Sequence, residues 1–486
     1  MFFRLPSLGS HGCRELHGHR GRSASLLLPP YVKIVPGLAL PRSVERIASG
    51  SLRVQHSKPN DTNVNGLARR LGPGLITGAA DDDPSKIATY SQAGSQFRFG
   101  LVWTLLLTTP LMIGIQMLSA RIGWVTGEGL GANIAKVCPR WLTLGLVGLL
   151  VVANTINIAA DIGAMGDALR LLVGGHQALY IVAFGALSIA CQVYLSYERT
   201  VRVLKWLTLA LFAYVAVILS VSVSVPWRQV VTEGMLPWAH FPAGVSANEY
   251  ASMVVAVLGT TISPCLFFWQ ASQEVEDGQR RLGVAELRAH PEYVSEHLWR
   301  IKLDTYIGMG FSNFIAVCIV IATAVTLNLH GTTNIQTSSQ AAEALRPVAG
   351  EFAFAVFALG IIGTGLLAVP ALAGSAAYAV SDVLGWNGGL LRGFKEARGF
   401  YAIIIEATVT GTLMSTLELD PIKALVWSAI VNGVIAVPIM VVMMWIGQSK
   451  RIMGALTISP CHRFFGWAAT AVMFLAMAFM AVTSFT

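Results

Sequence analysis

A chain of 486 residues that is 54% hydrophobic and only 12% charged is not an ordinary soluble domain; such a composition describes a polytopic membrane protein. The net charge of +8 raises nucleic acid as a partner, but no basic patch interleaves with aromatic residues, so nucleic acid is excluded and the excess is assigned to loops held in the cytoplasm. Six cysteines, Cys13, Cys138, Cys191, Cys265, Cys318 and Cys461, lack C-x-x-C spacing and predict neither a disulfide framework nor a zinc site.

Residues 1–65 are basic, poor in acids and rich in Arg, Ser, Gly and His, which predicts a disordered tail ahead of a transporter domain at 66–486. A targeting peptide or a misplaced translation start fits the same composition. His11, His17 and His19 read as solvated side chains, and the segment is assigned no function.

The first apolar stretch, residues 72–94, is interrupted by Asp81, Asp82 and Asp83 and then by Pro84. Proline lacks the amide proton and clashes with the preceding turn, and ionised carboxylates are costly in hydrocarbon. The span therefore breaks halfway, at a water-filled or protein-lined cavity that attracts cations. A plain kinked helix explains Pro84 but leaves three acids without partners. Spans two and three follow at 100–120 and 141–165. Asn154, Asn157 and Asp161 in the third share one helical stripe and point into the bundle; for the asparagines, interhelical hydrogen bonding is the alternative role.

Spans four and five are 178–197 and 206–225, and Trp227 and Trp238 anchor the next loop at the interface. Span six begins near Tyr250 and breaks in turn, with Thr260, Thr261 and Ser263 around Pro264. One proline kink is common in membrane helices. Two broken spans in corresponding halves mark a secondary transporter, whose freed carbonyls and helix ends build a site near the bilayer midplane. Residues 273–302 mix Glu274, Glu276 and Asp277 with Arg280, Arg281, Arg288 and Arg300, and read as a solvated amphipathic loop. Spans seven to eleven are 306–327, 352–380 with Pro370, 401–417, 422–448 and 464–485. Asn432 in span ten either lines the cavity or caps a neighbour.

With the amino terminus inside, one set of loops holds Arg121, Lys136, Arg140, Arg199, Arg202, Lys205, Arg392, Lys395, Arg398, Lys450, Arg451 and Arg463, together with the mixed-charge connection at 273–302. The other set holds little beyond Arg98, Arg228 and Arg346. This asymmetry predicts a cytoplasmic amino terminus. It also sets spans one and six in opposite orientations, as an inverted five-plus-five repeat requires, with halves at about 72–225 and 250–448 and an extra span at 464–485. The expected fold is all-α and polytopic, with eleven transmembrane helices, in a bacterial inner membrane.

These residues resemble a known family. Gly72-Pro73-Gly74 with Asp83-Pro84, Ser119-Ala120-Arg121-Ile122-Gly123 with Val125-Thr126-Gly127, and Leu258-Gly259-Thr260-Thr261 before Pro264 are similar to segments of the natural resistance-associated macrophage proteins, Nramp. The resemblance runs from about Gly72 to the chain end. It implies the leucine-transporter fold, transport of a divalent metal, no cofactor, and a monomer. The family's Asp-Pro-Gly-Asn reads here Asp83-Pro84-Ser85-Lys86, and its Met-Pro-His reads Ser263-Pro264-Cys265.

The departures have physical meaning. Ser263 replaces a thioether with a hard oxygen donor, which weakens selection for soft metals over magnesium or calcium. Cys265 restores a soft ligand only if it faces the site; a buried apolar thiol is the commoner fate. Lys86 replaces an asparagine that the resemblance makes a metal ligand, so it must turn away, pair with Asp81 or Asp82, or signal altered transport. Asp161 matches a family aspartate on the proton route, whereas Ala164 and Gln270 stand where the family has further protonatable groups.

The function expected is secondary transport of a divalent metal, manganese or magnesium, with the ion held by Asp83, Ser263 and carbonyls near Asp82 and Thr260. Asp81, Asp161, Asn157 and Asn432 line the cavity or a proton route, if transport is coupled to protons at all. The alternative is a carrier of a small organic solute such as an amino acid, for which Lys86 would be a counter-ion. No nucleophile–base constellation or phosphate-binding loop points to an enzyme.

Overall fold

The computed structural model describes residue 78 and residues 81–195, 207–220, 225–234, 245–282, 294–417 and 420–484. The tail expected at 1–65, the Gly72-Pro73-Gly74 motif and most of the first half of span one lie outside the described residues, as do Arg199, Arg202, Lys205, Trp238 and Arg288.

Every regular element among the described residues is helical. Numbering the longer helices in chain order, α1 is Pro84–Phe97, α2 Val102–Thr126, α3 Arg140–Val173, α4 Gln177–Tyr194, α5 Phe212–Leu219 and α6 Ala247–Thr261. Then come α7 Pro264–Leu282, α8 Val294–Thr326, α9 Ala353–Leu384, α10 Arg398–Ser415, α11 Pro421–Gln448 and α12 Pro460–Ser484. Local chemistry sets many ends: Pro84 opens α1, a Ser246–Glu249 capping box opens α6, and Gly127 and Gly385 close α2 and α9 in left-handed conformations.

Among the described residues, eight helical segments are long and apolar enough to cross a membrane, the α6–α7 pair counting as one. Of the other expected spans, the first is described mainly from Asp81 onward, and the fifth appears as a 3-10 turn, Leu207–Leu211, leading into α5. The ninth is α10, whose apolar run is broken by Glu406. The polarity is that of a protein solvated by lipid. Trp141, Val152, Leu219, Leu475 and Val482 are each more than half exposed, while Asn154, Asn157, Asp161, Gln270 and Ser312 are buried.

The packing places α1, α6 and α11 together, with α8 and α2 beside α1 and α7, and α3, α9 and α10 forming a supporting layer. α12 packs on α2, α6 and α11 and leaves most of its surface outward. Small residues allow close crossings: a Cβ at Gly259 of α6 would lie 2.2 Å from the Ala429 carbonyl oxygen and 2.5 Å from the Gly433 nitrogen of α11.

The connection at 273–302 corrects the sequence reading. α7 continues to Leu282 and α8 begins at Val294, and Glu274 and Arg300 are buried rather than solvated. The charges oppose one another across two helices and pair, which no pattern within the segment could reveal.

Candidate functional site

Two helix breaks meet at the centre of the bundle. In the first, Asp83 adopts an extended conformation (φ −77°, ψ 168°), and its Oδ1 accepts the Lys86 amide at 2.7 Å, capping α1. In the second, Ile262 (φ −110°, ψ 72°) leaves the helical region after Thr261, and Pro264 starts α7. Proline cannot supply the amide that would continue the preceding helix, so both interruptions follow from the chain. Tyr90 and Thr261 hydroxyls lie 2.7 Å apart, and those of Ser85 and Thr260 3.5 Å apart, tying the breaks together.

Between them lies a cavity of about 10 Å³ lined by Asp81, Asp83, Thr260, Ser263, Cys265 and Asn432, with Leu266, Ala368, Ala371 and Leu372 as its apolar wall. That volume holds about one water-sized particle. The last carbonyls of α6 lack intrahelical partners by construction, so the available donors are oxygen-rich. Ser263 Oγ lies 3.1 Å from Cys265 Sγ. No three His, Cys, Asp or Glu side chains among the described residues converge in metal-holding geometry; any ion here relies on one or two carboxylates, hydroxyls and backbone.

The three consecutive acids diverge. Asp83 faces the cavity. Asp81 reaches its wall, but Oδ2 pairs with Lys86 Nζ. The Asp82 side chain turns to Ser312 Oγ, 2.6 Å away, and to Lys86 Nζ at 3.5 Å, and does not line the cavity. Of the three fates open to Lys86, the structure adopts pairing with both acids. Ser312, on α8, completes this knot; a lone hydroxyl in an apolar span gives no signal of it in the chain.

On α3 the stripe divides by function. Asn154 donates to the Leu372 carbonyl at 2.8 Å and to Ser375 Oγ at 2.6 Å, gluing α3 to α9. Asn157 donates to Asn432 Oδ1 at 2.9 Å, and Asn432 lines the cavity. Asp161 is wholly buried, and neither of its oxygens reaches a partner in full hydrogen-bond geometry, although the Ser85 amide and the Asp83 carboxylate act on it electrostatically. Gln270 lies outside the cavity in a neutral network, accepting from Gln116 Nε2 at 2.5 Å and donating to Thr305 Oγ1 at 3.3 Å.

The two faces of the bundle differ. Toward the ends of α1 and α11 nearer Phe97 and Ile422, a vestibule of about 1100 Å³ opens, lined by polar groups that include Gln92, Asn248, Glu249, Asn334 and Lys423. At the other face the charged end of α7 is tied down. Arg300 of α8 pairs with Glu274 at 3.0 Å and Asp277 at 2.8 Å, and Glu276 accepts from the Tyr378 hydroxyl at 2.6 Å and the Leu390 amide at 2.7 Å.

A helical membrane bundle with two adjacent broken helices around one small polar cavity has the leucine-transporter-like fold, an architecture of membrane transporters. A profile of the family described as "Natural resistance-associated macrophage protein-like" matches residues 74–483, and the chain belongs to that family, Nramp. Among its relatives, the divalent metal cation transporter MntH of Acidiphilium cryptum is 24% identical over 407 residues, covering 80% of this chain and 84% of the relative. MntH of Klebsiella pneumoniae is 25% identical over 434 residues, covering 87% and 96%. The fold is that of the Eremococcus coleocola manganese transporter, crystallised with an aromatic bis-isothiourea compound; the TM-score is 0.64 at 16% identity, over 88% of this chain and 90% of that one.

Proposed function

We propose that this protein carries a divalent metal cation across a membrane by alternating access, with the ion as cargo and no resident cofactor. The observation that carries this reading is the cavity of about 10 Å³ between the two helix breaks, whose lining residues Asp83, Ser263 and Thr260 carry hard oxygen donors. The relatives named MntH support the same cargo class. An amino acid needs a far larger space than one water-sized particle, so the organic-solute reading is the weaker one. The oxygen donors suit manganese or magnesium, and the Cys265 thiol at the cavity wall is the one soft donor beside them.

The ion enters through the vestibule at the Phe97 end of α1, which is the external face if the amino terminus is cytoplasmic as the positive charges require. Asn432, held by Asn157, supplies a neutral oxygen or amide at the cavity wall. Protons, if they are co-transported, pass between Asp83 and Asp161. The protein works as a monomer in a bacterial inner membrane, its transporter domain at 66–486 following the basic tail. Uptake of manganese and magnesium into proteoliposomes tests the reading. Asp83→Ala is expected to lose at least tenfold in uptake, and a variant transporting as fast as the parent removes the site assignment.

A further inference from the structure

Lys86 is an expensive residue where it stands. It occupies the first turn of α1, the end at which the helix dipole disfavours a cation, and its side chain is 2% exposed. A buried ammonium persists only when it is paired and hydrogen-bonded. Here it is held on three sides, by Asp81 Oδ2, by Asp82 Oδ1 at 3.5 Å and by Ser312 Oγ at 2.5 Å. Ser312 in turn lies 2.7 Å from Asp81 Oδ2 and 2.6 Å from Asp82 Oδ1, so its hydroxyl proton serves one acid or the other. The unit is closed on itself: two carboxylates, one ammonium and one hydroxyl bridging the loosened stretch of span one to α8. Among the described residues lining the cavity, Asp83 is then the carboxylate not paired with the ammonium; Oδ1 takes the Lys86 backbone amide.

We propose that Lys86 is a specificity-determining residue of the cation site: a tethered cation that withdraws Asp81 and Asp82 from the cargo and leaves Asp83 to meet it, setting the site to weak divalent binding. The inference rests on the cavity being a cation site. Affinity in oxygen-ligand sites follows the number of ligand charges, and few charges give dissociation constants of about 10⁻⁴ to 10⁻³ M. A carrier built this way suits an ion abundant in its surroundings rather than a trace metal. Removing the ammonium releases Asp81 at the cavity wall, with Asp82 still held by Ser312 outside the lining, and divalent binding becomes tighter. A purely structural role for Lys86 predicts the opposite sign, because a damaged site binds less.

The test is isothermal titration of manganese chloride into the purified full-length parent, Lys86→Asn and Lys86→Met, each checked for monodispersity and thermal unfolding. The parent is expected to bind at about 10⁻⁴ to 10⁻³ M, and the folded variants at least tenfold more tightly. A parent dissociation constant below about 10⁻⁵ M overturns the proposal, and this measurement decides alone if neither variant folds. A weakly binding parent whose folded variants gain nothing overturns the Lys86 assignment and leaves the transport reading standing. A parent without manganese binding whose Lys86→Asn variant acquires it supports the assignment while sinking the transport reading for manganese; absence of binding in all three overturns both.

Discussion

Arg300→Met removes the cation that ties the two helices of the closed face. In the parent, Nη2 lies 3.0 Å from Glu274, Nη1 lies 2.8 Å from Asp277, and the guanidinium stands 5.7 Å from the centre of the Trp124 ring. The Glu274 side chain is wholly inaccessible and that of Asp277 is 13% exposed, so methionine, which fills much of the same volume, takes a cation away from two carboxylates in a poorly solvated place. Breaking a buried pair from one side costs about 3–5 kcal/mol. The expected outcome is a loss of that size in denaturant unfolding followed by tryptophan fluorescence, of which the chain offers 12 reporters. The double variant Glu274→Gln with Arg300→Met should then lose about 2 kcal/mol less than the sum of the two single losses, because the Arg300–Glu274 pair is broken by either single change and is lost only once. A single variant within about 0.5 kcal/mol of the parent refutes the reasoning, as does strict additivity in the double.

Two further substitutions probe the packing. Gly259→Val forces a Cβ to within 2.2 Å of the Ala429 carbonyl oxygen, and should cost at least about 1–3 kcal/mol and reduce the folded fraction on size exclusion; a parent-like monodisperse yield contradicts the close crossing of α6 and α11. Tyr378→Phe deprives the Glu276 carboxylate of a 2.6 Å hydrogen bond while leaving the Leu390 amide in place, and should lower stability by about 1–3 kcal/mol in the same unfolding assay. An unchanged midpoint would mean that Glu276 does not depend on α9.

The elements legible in the chain are those whose cause is local. Asp83-Pro84 and Ser263-Pro264 announce both breaks because a missing amide and a charge at membrane depth disrupt a helix wherever it folds. The stripe of Asn154, Asn157 and Asp161 is legible because helical geometry alone decides that they share a face, although it could not separate the asparagine that glues α3 to α9 from the one that meets Asn432. Ser312 was hidden, since one hydroxyl in an apolar span has no local signature; it matters only because α8 lies against the loosened turn of span one. Arg300 was read as solvated for the same reason, its partners being 26 and 23 residues away in the chain.

By itself, then, the chain determined a helical membrane protein with two interruptions and an acidic centre, because hydrophobic run length, proline chemistry and the cost of buried charge act on neighbouring residues. Only the tertiary structure decided how the acids divide, with Asp81 and Asp82 taken by Lys86 and Ser312 and Asp83 left toward the cavity. That choice depends on which groups α8 and α6 bring within hydrogen-bond distance, and such distances are set by packing between helices far apart in the chain.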